Sequence, residues 1–242
     1  MCNRVATPAE DEIHGYFDKI DSDLGQLAKV EPYEHYYQVP AFIKPVIPFV
    51  GADDPLKIGT AMWKFVPERA TMEAYDKYDT YNAKAEEIFE KRTYKDYILP
   101  KRGLVVLKGF FEGQEQPDKS SQPYFIYPAD RGLLTLGCVY SDWYDTVNDR
   151  PMRTCSILTT AANELMAEIH NKKKRMPLII PAEKRMWWLG DLTKADLQEY
   201  FVPYPDGYLA AHKVSKNMYK RGVDNNTPAV QEAIPDVPDT LF

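Results

Sequence analysis

At 242 residues, 44% hydrophobic and 13% aromatic, the chain has the apolar content to bury one sizeable core, which excludes a disordered protein and makes a single domain over residues 1–242 the expectation. The formal net charge of -6 excludes a uniformly basic nucleic-acid binder, although residues 1–31 and 222–242 each carry -4 and leave the interior at +2. No run approaches the ~20 apolar residues of a membrane span and no apolar stretch follows a charged leader, so the expected setting is soluble and cytoplasmic, without a membrane partner.

In chain order, Thr7-Pro8-Ala9-Glu10 has the form of a capping box with proline at the first helical position, predicting a helix from Pro8 toward Ile20. Gln38 to Val50 and Lys57 to Val66 are β-rich runs separated by Gly51-Ala52-Asp53-Asp54-Pro55, which reads as strand, turn, strand. Ala83 to Tyr97 has helix-forming composition and stops before Pro100. Gly103 to Phe111, Tyr124 to Tyr127, Leu133 to Tyr140 and Thr154 to Thr160 read as successive strands. Ala161 to His170 reads as a helix, Met176 to Ile180 as a short strand and Ala182 to Leu189 as a further helix. From Gly222, with Pro228, Pro235 and Pro238, residues 222–242 read as an extended tail. Strands that follow one another without regular helical crossovers favour an α+β fold, mainly antiparallel strands forming a barrel-like sheet with flanking helices.

Cys2 is the residue richest in chemical information. Methionine aminopeptidases remove an initiator that precedes a small side chain, and removal of Met1 leaves a free α-amine beside a thiol-bearing carbon. Such a 1,2-aminothiol forms a Schiff base with an aldehyde through nitrogen and closes through sulfur to a thiazolidine, which an internal cysteine cannot do. The amine titrates near ~8 and the thiol near ~8.5, so little activation is needed. The same position also suits an ordinary early residue of an N-terminal strand.

Three further segments combine reactive side chains with structural alternatives. Asn82 opens Asn82-Ala83-Lys84-Ala85-Glu86, where an asparagine is also a common helix N-cap. Arg102-Gly103-Leu104 leads to Lys108-Gly109-Phe110-Phe111-Glu112; an acid in apolar surroundings has its neutral form favoured and suits a general acid, or is simply a strand end. His170, followed by Asn171 and by Arg175-Met176-Pro177, sits at a predicted helix C-terminus, where interaction with the helix dipole is the alternative. Lys172, Lys173, Lys174 and Arg175 are consecutive and form either a solvated loop or part of a basic face. Cys2, Cys138 and Cys155 lack CxxC spacing, which argues against a disulfide framework and a zinc site; Cys138 and Cys155 lie in apolar runs and are expected to be buried.

Taken in order, Cys2 and Arg4, then Asn82 to Glu86, then Gly109-Phe110-Phe111-Glu112, then Thr159-Thr160-Ala161-Ala162-Asn163 leading to His170 and Met176-Pro177 resemble the SOS response-associated peptidase (SRAP) family. The resemblance spans Cys2 to about Asn226 and includes Met62-Trp63-Lys64-Phe65-Val66-Pro67, where the family has a Trp-Gly-Leu-Ile-Pro-like segment. It implies a protein that recognises abasic sites in single-stranded DNA and joins itself to them as a thiazolidine through the N-terminal cysteine. It also implies peptidase activity that exposes the cysteine and lyase-like chemistry, without metal or cofactor. The implied catalytic set is Cys2, Asn82, Glu112 and His170. Asn82 would position the Cys2 backbone and amine, Glu112 would move protons at the sugar, and His170 would assist the Schiff-base steps and their reversal. Arg4, Lys84 and Arg175 would hold phosphates flanking the lesion, and Trp63, Trp143, Trp187 and Trp188 are available either for stacking on bases or for the core. A monomer, nucleoid-associated when on DNA, is the expected state.

The chain departs from the family pattern at several points. Asn3 replaces a usual glycine, Lys84 an arginine and Gly113 a tryptophan, and four residues separate His170 from Arg175 where one is usual. Two other readings use the same residues differently: an N-terminal-nucleophile cysteine amide hydrolase, in which the α-amine of Cys2 is the base, and a non-covalent single-stranded DNA-binding module with a structural Cys2.

Overall fold

The structure is a computed structural model that describes residues 2–18, 29–220 and 222–235. Its first elements are β1 (Arg4–Ala6), the one-turn helices α1 (Glu10–Ile13) and α2 (Gly15–Asp18), β2 (Lys29–Val30), β3 (Val39–Pro40), β4 (Val46–Gly51), β5 (Asp54–Trp63) and α3 (Met72–Asp76). Then come β6 (Asn82–Lys84), β7 (Arg102–Leu107), β8 (Gly109–Glu115), β9 (Ser121–Pro128), β10 (Leu134–Asp145) and β11 (Arg150–Ala161). The chain continues through α4 (Glu164–Ile169), β12 (Arg175–Pro177), α5 (Arg185–Leu189), α6 (Lys194–Tyr200) and β13 (Leu209–Lys213). This is the expected α+β class, mostly strand with short helices.

One sheet has the order β13-β9-β8-β1-β3; the other runs β12-β11-β10-β7-β4-β5-β2, with β6 added on β11. A parallel pairing of β5 with β11 at Met62↔Thr154 and Trp63↔Cys155 carries the hydrogen bonds of β4, β5, β11, β10 and β7 round in a ring. Most pairs are antiparallel, as the succession of strands predicts, but β2–β5, β5–β11 and β6–β11 are parallel. Both faces of β7 are covered. Val105 and Leu107 pack with Cys2, Trp63, Cys138 and Tyr140, and Leu104 and Val106 pack with Leu158, Leu178 and Trp188. A strand buried on both faces reads as an unbroken apolar run, which is why this one is visible in the sequence. Cys138 and Cys155 are buried in the first of these clusters, as expected.

Several expected elements are shorter or different. The helix predicted from Pro8 toward Ile20 begins at Glu10, breaks at His14 and resumes at Gly15; residues 19 and 20 lie outside the described residues. Thr7 does not cap it, because its hydroxyl accepts the Tyr36 N–H at 2.7 Å; Ala9 takes the cap position, and its N–H donates to the Glu12 carboxylate at 2.8 Å. Gln38 to Val50 is interrupted by a 3₁₀ turn at Ala41–Ile43 and by Lys44 at φ 56°. Ala83 to Tyr97 is not a helix: Asn82, Ala83 and Lys84 pair with Ile157, Leu158 and Thr159, and tertiary pairing overrides the local helix preference. Gly103 to Phe111 is two strands in two sheets. The break falls at Lys108, whose N–H donates to Ala6 O at 2.9 Å. Gly109 permits the switch, since a Cβ there would sit 2.5 Å from the Phe125 ring and 2.6 Å from the Ile126 carbonyl oxygen.

Beyond Gly222, the Asn226 side chain accepts the Tyr37 N–H at 2.7 Å, Val230 is buried with Phe111, Phe125 and Met218, and the Ile234 N–H donates to Lys213 O at 3.0 Å.

Arg102, flagged in the sequence beside Glu112, is structural. It is buried and donates to the carbonyls of Trp188 at 3.1 Å and Ile98 at 3.3 Å, and also to those of Leu99 and Gly190. Arg102→Met keeps the apolar stem but strands those acceptors, so it should cost about 3 kcal/mol, a fall in melting temperature of roughly 6–12 °C by thermal scanning.

Candidate active site

The N-terminal strand is held on both edges. Arg4 pairs with Phe111 of β8 and with Pro40 of β3, which fixes the segment carrying Cys2 between two neighbours. Cys2 is fully buried, and its Sγ lies 3.6 Å from Arg4 O. Burial pushes the thiol pKa up, and the nearby Glu112 carboxylate pushes it further, so the thiol is neutral at ordinary pH.

Asn82 reaches Cys2 from the other sheet. Its Nδ2 donates to Cys2 O at 2.8 Å, while its buried Oδ1 has no hydrogen-bond partner among the described residues. The approach to Asn82 is rigid: Tyr81 O accepts both the Trp63 indole N–H at 2.9 Å and the Ile157 N–H at 3.0 Å. Lys64, which the sequence reading did not single out, is buried behind this segment. Its ammonium donates to Tyr78 O and lies 4.8 Å from the centre of the Tyr81 ring.

Glu112 lies in β8 opposite Tyr124 of β9 and is 8% exposed. Desolvation raises its pKa above the usual carboxylate value, with His170 among the groups that oppose the rise. His170 ends α4, as predicted, and α4 itself is capped by Asn163, whose side chain accepts the Met166 N–H at 2.9 Å. The His170 Nδ1 is 2.8 Å from Arg175 O and 3.3 Å from Arg175 N, so the backbone of Arg175 holds the ring through Nδ1 and leaves Nε2 as its other polar edge.

Glu112 and His170 line one cavity of about 450 Å³ together with Asn3, Arg4, Phe42 and Tyr219. A second cavity of about 690 Å³ shares Arg4, Pro40, Phe42 and Tyr219 with it, so the two adjoin along one groove wall. Arg4 is held in the groove by Gln38 Oε1 at 2.5 Å and by the Tyr219 ring, whose centroid is 5.3 Å from the guanidinium carbon. The structure therefore brings Cys2, Asn82, Glu112, His170 and Arg4 together. Lys84 and Arg175 are instead engaged with carboxylates, Lys84 with Glu87 at 2.7 Å and Arg175 with Glu86 at 2.7 Å. Of the tryptophans, Trp63, Trp143 and Trp188 are core residues and Trp187 is 72% exposed. The aromatic groups at the groove, Phe42 at 66% exposure and Tyr219, gave no signal in the sequence, because only the fold places them beside Arg4. A separate cavity of about 490 Å³, lined by the ion-paired Asp53, Asp142 and Arg153, holds none of the candidate residues. Among the described residues no group of His, Cys, Asp and Glu is arranged to hold a metal ion, and no helix is long and apolar enough to cross a membrane.

The chain is similar to "Abasic site processing protein YoqW" of Bacillus subtilis, 28% identical over 236 residues that cover 96% of this chain and 100% of that protein. It is also similar to "Abasic site processing protein HMCES" of Gallus gallus, 30% identical over 171 residues, 62% of this chain and 49% of that protein. A crystal structure of a protein from Bacteroides thetaiotaomicron matches with a TM-score of 0.82 and 26% sequence identity, covering 97% of this chain and 100% of that one. The profile of one family, described as SOS response associated peptidase (SRAP), matches residues 1–221, and the chain belongs to that family.

Proposed function

We propose that this chain recognises abasic sites in single-stranded DNA and joins itself to them through Cys2, once Met1 has been removed by an aminopeptidase or by the chain's own peptidase activity. The observation that carries this reading is the placement of a buried Cys2, its carbonyl held by Asn82 at 2.8 Å, beside a buried Glu112 that shares a cavity with His170. The names of the relatives support the substrate class.

The chemistry needs only groups that the site contains. Neutral Glu112 donates its proton to the ring oxygen of the abasic sugar while His170 takes the proton of the C1′ hydroxyl, so the bond from C1′ to the ring oxygen breaks and the sugar opens to the C1′ aldehyde. The Cys2 α-amine adds to C1′, and the carbinolamine loses water to give a Schiff base, with His170 returning the proton that the departing hydroxyl takes up. Sγ then adds to C1′ as the thiol proton passes to the imine nitrogen, closing a five-membered ring of C1′, N, Cα, Cβ and Sγ. The net change is protein plus DNA minus one water. Extruding such a nucleotide costs little, because no base is left to unstack. In this reading Phe42 and Tyr219, which line the cavity, stack on flanking bases, and Arg4 meets a phosphate.

The decisive test is the intact mass of protein confirmed to begin at Cys2 after incubation with a single-stranded oligonucleotide carrying one abasic site. A species at protein plus DNA minus water, absent with intact DNA, is expected. No such species, with turnover of a small amide instead, would move the assignment to an N-terminal-nucleophile hydrolase.

The pH dependence follows from the two proton carriers. The rate should fall on the acid side as the α-amine is protonated, and on the alkaline side as Glu112, its pKa raised by burial, loses the proton it must donate. In Glu112→Gln the alkaline limb should vanish; a limb that persists would assign it to another group.

A further inference from the structure

Two of the three cations that the family resemblance sets against phosphate are already occupied. Arg175 gives its planar fork to Glu86, Nη1 to Oε1 at 2.7 Å and Nη2 to Oε2 at 2.8 Å, and Nη2 also donates to Thr159 O at 2.6 Å. Burial alone would push the Glu86 pKa up, but Arg175 outweighs it and holds the carboxyl below its usual value, so the pair is charged on both sides. With its Nη2 hydrogens given to Glu86 and Thr159 and its Nε buried, Arg175 has no second bidentate edge to offer a phosphate. Lys84 is similarly tied to Glu87 at 2.7 Å.

The cavity that holds Glu112 and His170 has other cations on its wall, Lys119, Lys172 and Lys173. Lys172 pairs with Glu115 at 2.8 Å, whereas Lys119 and Lys173 form no ion pair with any described residue. Both are carried on constrained backbone. Lys119 sits at φ 65° in the turn between β8 and β9, closed by the Gln116 N–H on Ser120 O at 2.9 Å. Lys173 lies in the turn after α4. There Asn171 clamps the end of β8, donating to Glu115 O at 2.9 Å and accepting the Glu115 N–H at 3.1 Å. The Lys174 N–H donates to His170 O at 2.8 Å and closes the same turn. The extra residues between His170 and Arg175 are thus docked on the strand that carries Glu112, and they bring a lysine to the cavity while Arg175 faces Glu86.

We infer that Lys119 and Lys173, with Arg4, hold the two phosphates that flank the abasic sugar in this chain, and that Arg175 fixes Glu86 and Thr159 instead of touching DNA. The inference rests on the abasic-site reading for its ligand. Unpaired cations on the wall of a concave site focus their field on the anion that enters it, whereas a paired one contributes little.

The experiment is the salt dependence of binding, by fluorescence anisotropy, to a single-stranded oligonucleotide with a tetrahydrofuran abasic analogue, which has no aldehyde. For Lys119→Gln/Lys173→Gln the slope of log Kd against log salt should fall by about 1.4, two phosphates at ~0.7 each. Glu86→Gln/Arg175→Gln, which removes both charges of the half-buried pair together, should leave the slope unchanged. A wild-type slope for the lysine variant, a reduced slope for the Glu86/Arg175 variant, or no binding by the wild type would each overturn the inference. Because the analogue cannot react, failure of covalent capture on true abasic DNA is read separately and does not alter the slopes.

Discussion

Cys2→Ala eliminates the conjugate with abasic DNA on a denaturing gel while leaving single-stranded DNA affinity within about threefold of wild type. The first half follows from chemistry, because alanine leaves the α-amine but removes the sulfur that closes the ring; a Schiff base alone hydrolyses during denaturation. The second half follows from geometry. Phosphate contacts position the strand independently of the reacting atom, and the charged and aromatic groups of the groove, Arg4, Phe42 and Tyr219, are separate from the thiol. Alanine also fits the buried site, where Cys2 packs as a small apolar side chain in the same cluster as Val5 and Trp63. Equal conjugate yield from the variant would remove Cys2 as the nucleophile, and a parallel loss of affinity would make it a structural residue.

Glu112→Gln slows conjugation at saturating DNA by roughly 10²–10⁴-fold, the range for loss of a positioned general acid, and it does so while making the fold more stable at neutral pH. The sign follows from burial. Desolvation raises the Glu112 pKa in the folded chain, so the folded state holds the proton more tightly than the unfolded state. The associated stability is fully present below the unfolded value of ~4.3 and is lost as pH rises through the raised folded value. Glutamine has no charge to desolvate. The melting temperature of Glu112→Gln relative to wild type should therefore be near parity at pH 4 and rise toward pH 8, measured by scanning fluorimetry at several pH values. A variant that loses both rate and stability as pH rises would mark Glu112 as a structural anchor.

Much of the site was legible because its chemistry is local. A cysteine behind Met1, an acid after two phenylalanines and a histidine at the end of a helix are each visible in a few residues, and their order is what resembles the family. The parts that were not legible depend on partners distant in sequence. Asn82 looks like a helix cap by itself and becomes a strand residue only because β11, more than seventy positions later, supplies its pairing. Arg175 looks like a free cation at the end of a basic run until Glu86 meets it from the Asn82 segment. Phe42 and Tyr219 come from opposite ends of the chain and share a groove only through β3, β1 and the packing of the C-terminal residues on Tyr37. The closure of β5 on β11 has the same origin: a two-residue parallel register between Met62–Trp63 and Thr154–Cys155 leaves no periodic trace.

The order β13-β9-β8-β1-β3 has a consequence for how DNA joined to this protein would be cleared. Cys2 precedes an interior strand with neighbours on both edges, so a protease cannot take the first peptide bonds into its extended cleft until β1 has peeled away from β3 and β8. Digestion of an adduct would start at exposed turns and reach the attachment point last, and the lifetime of the lesion's protein cover would be set by the opening of that sheet.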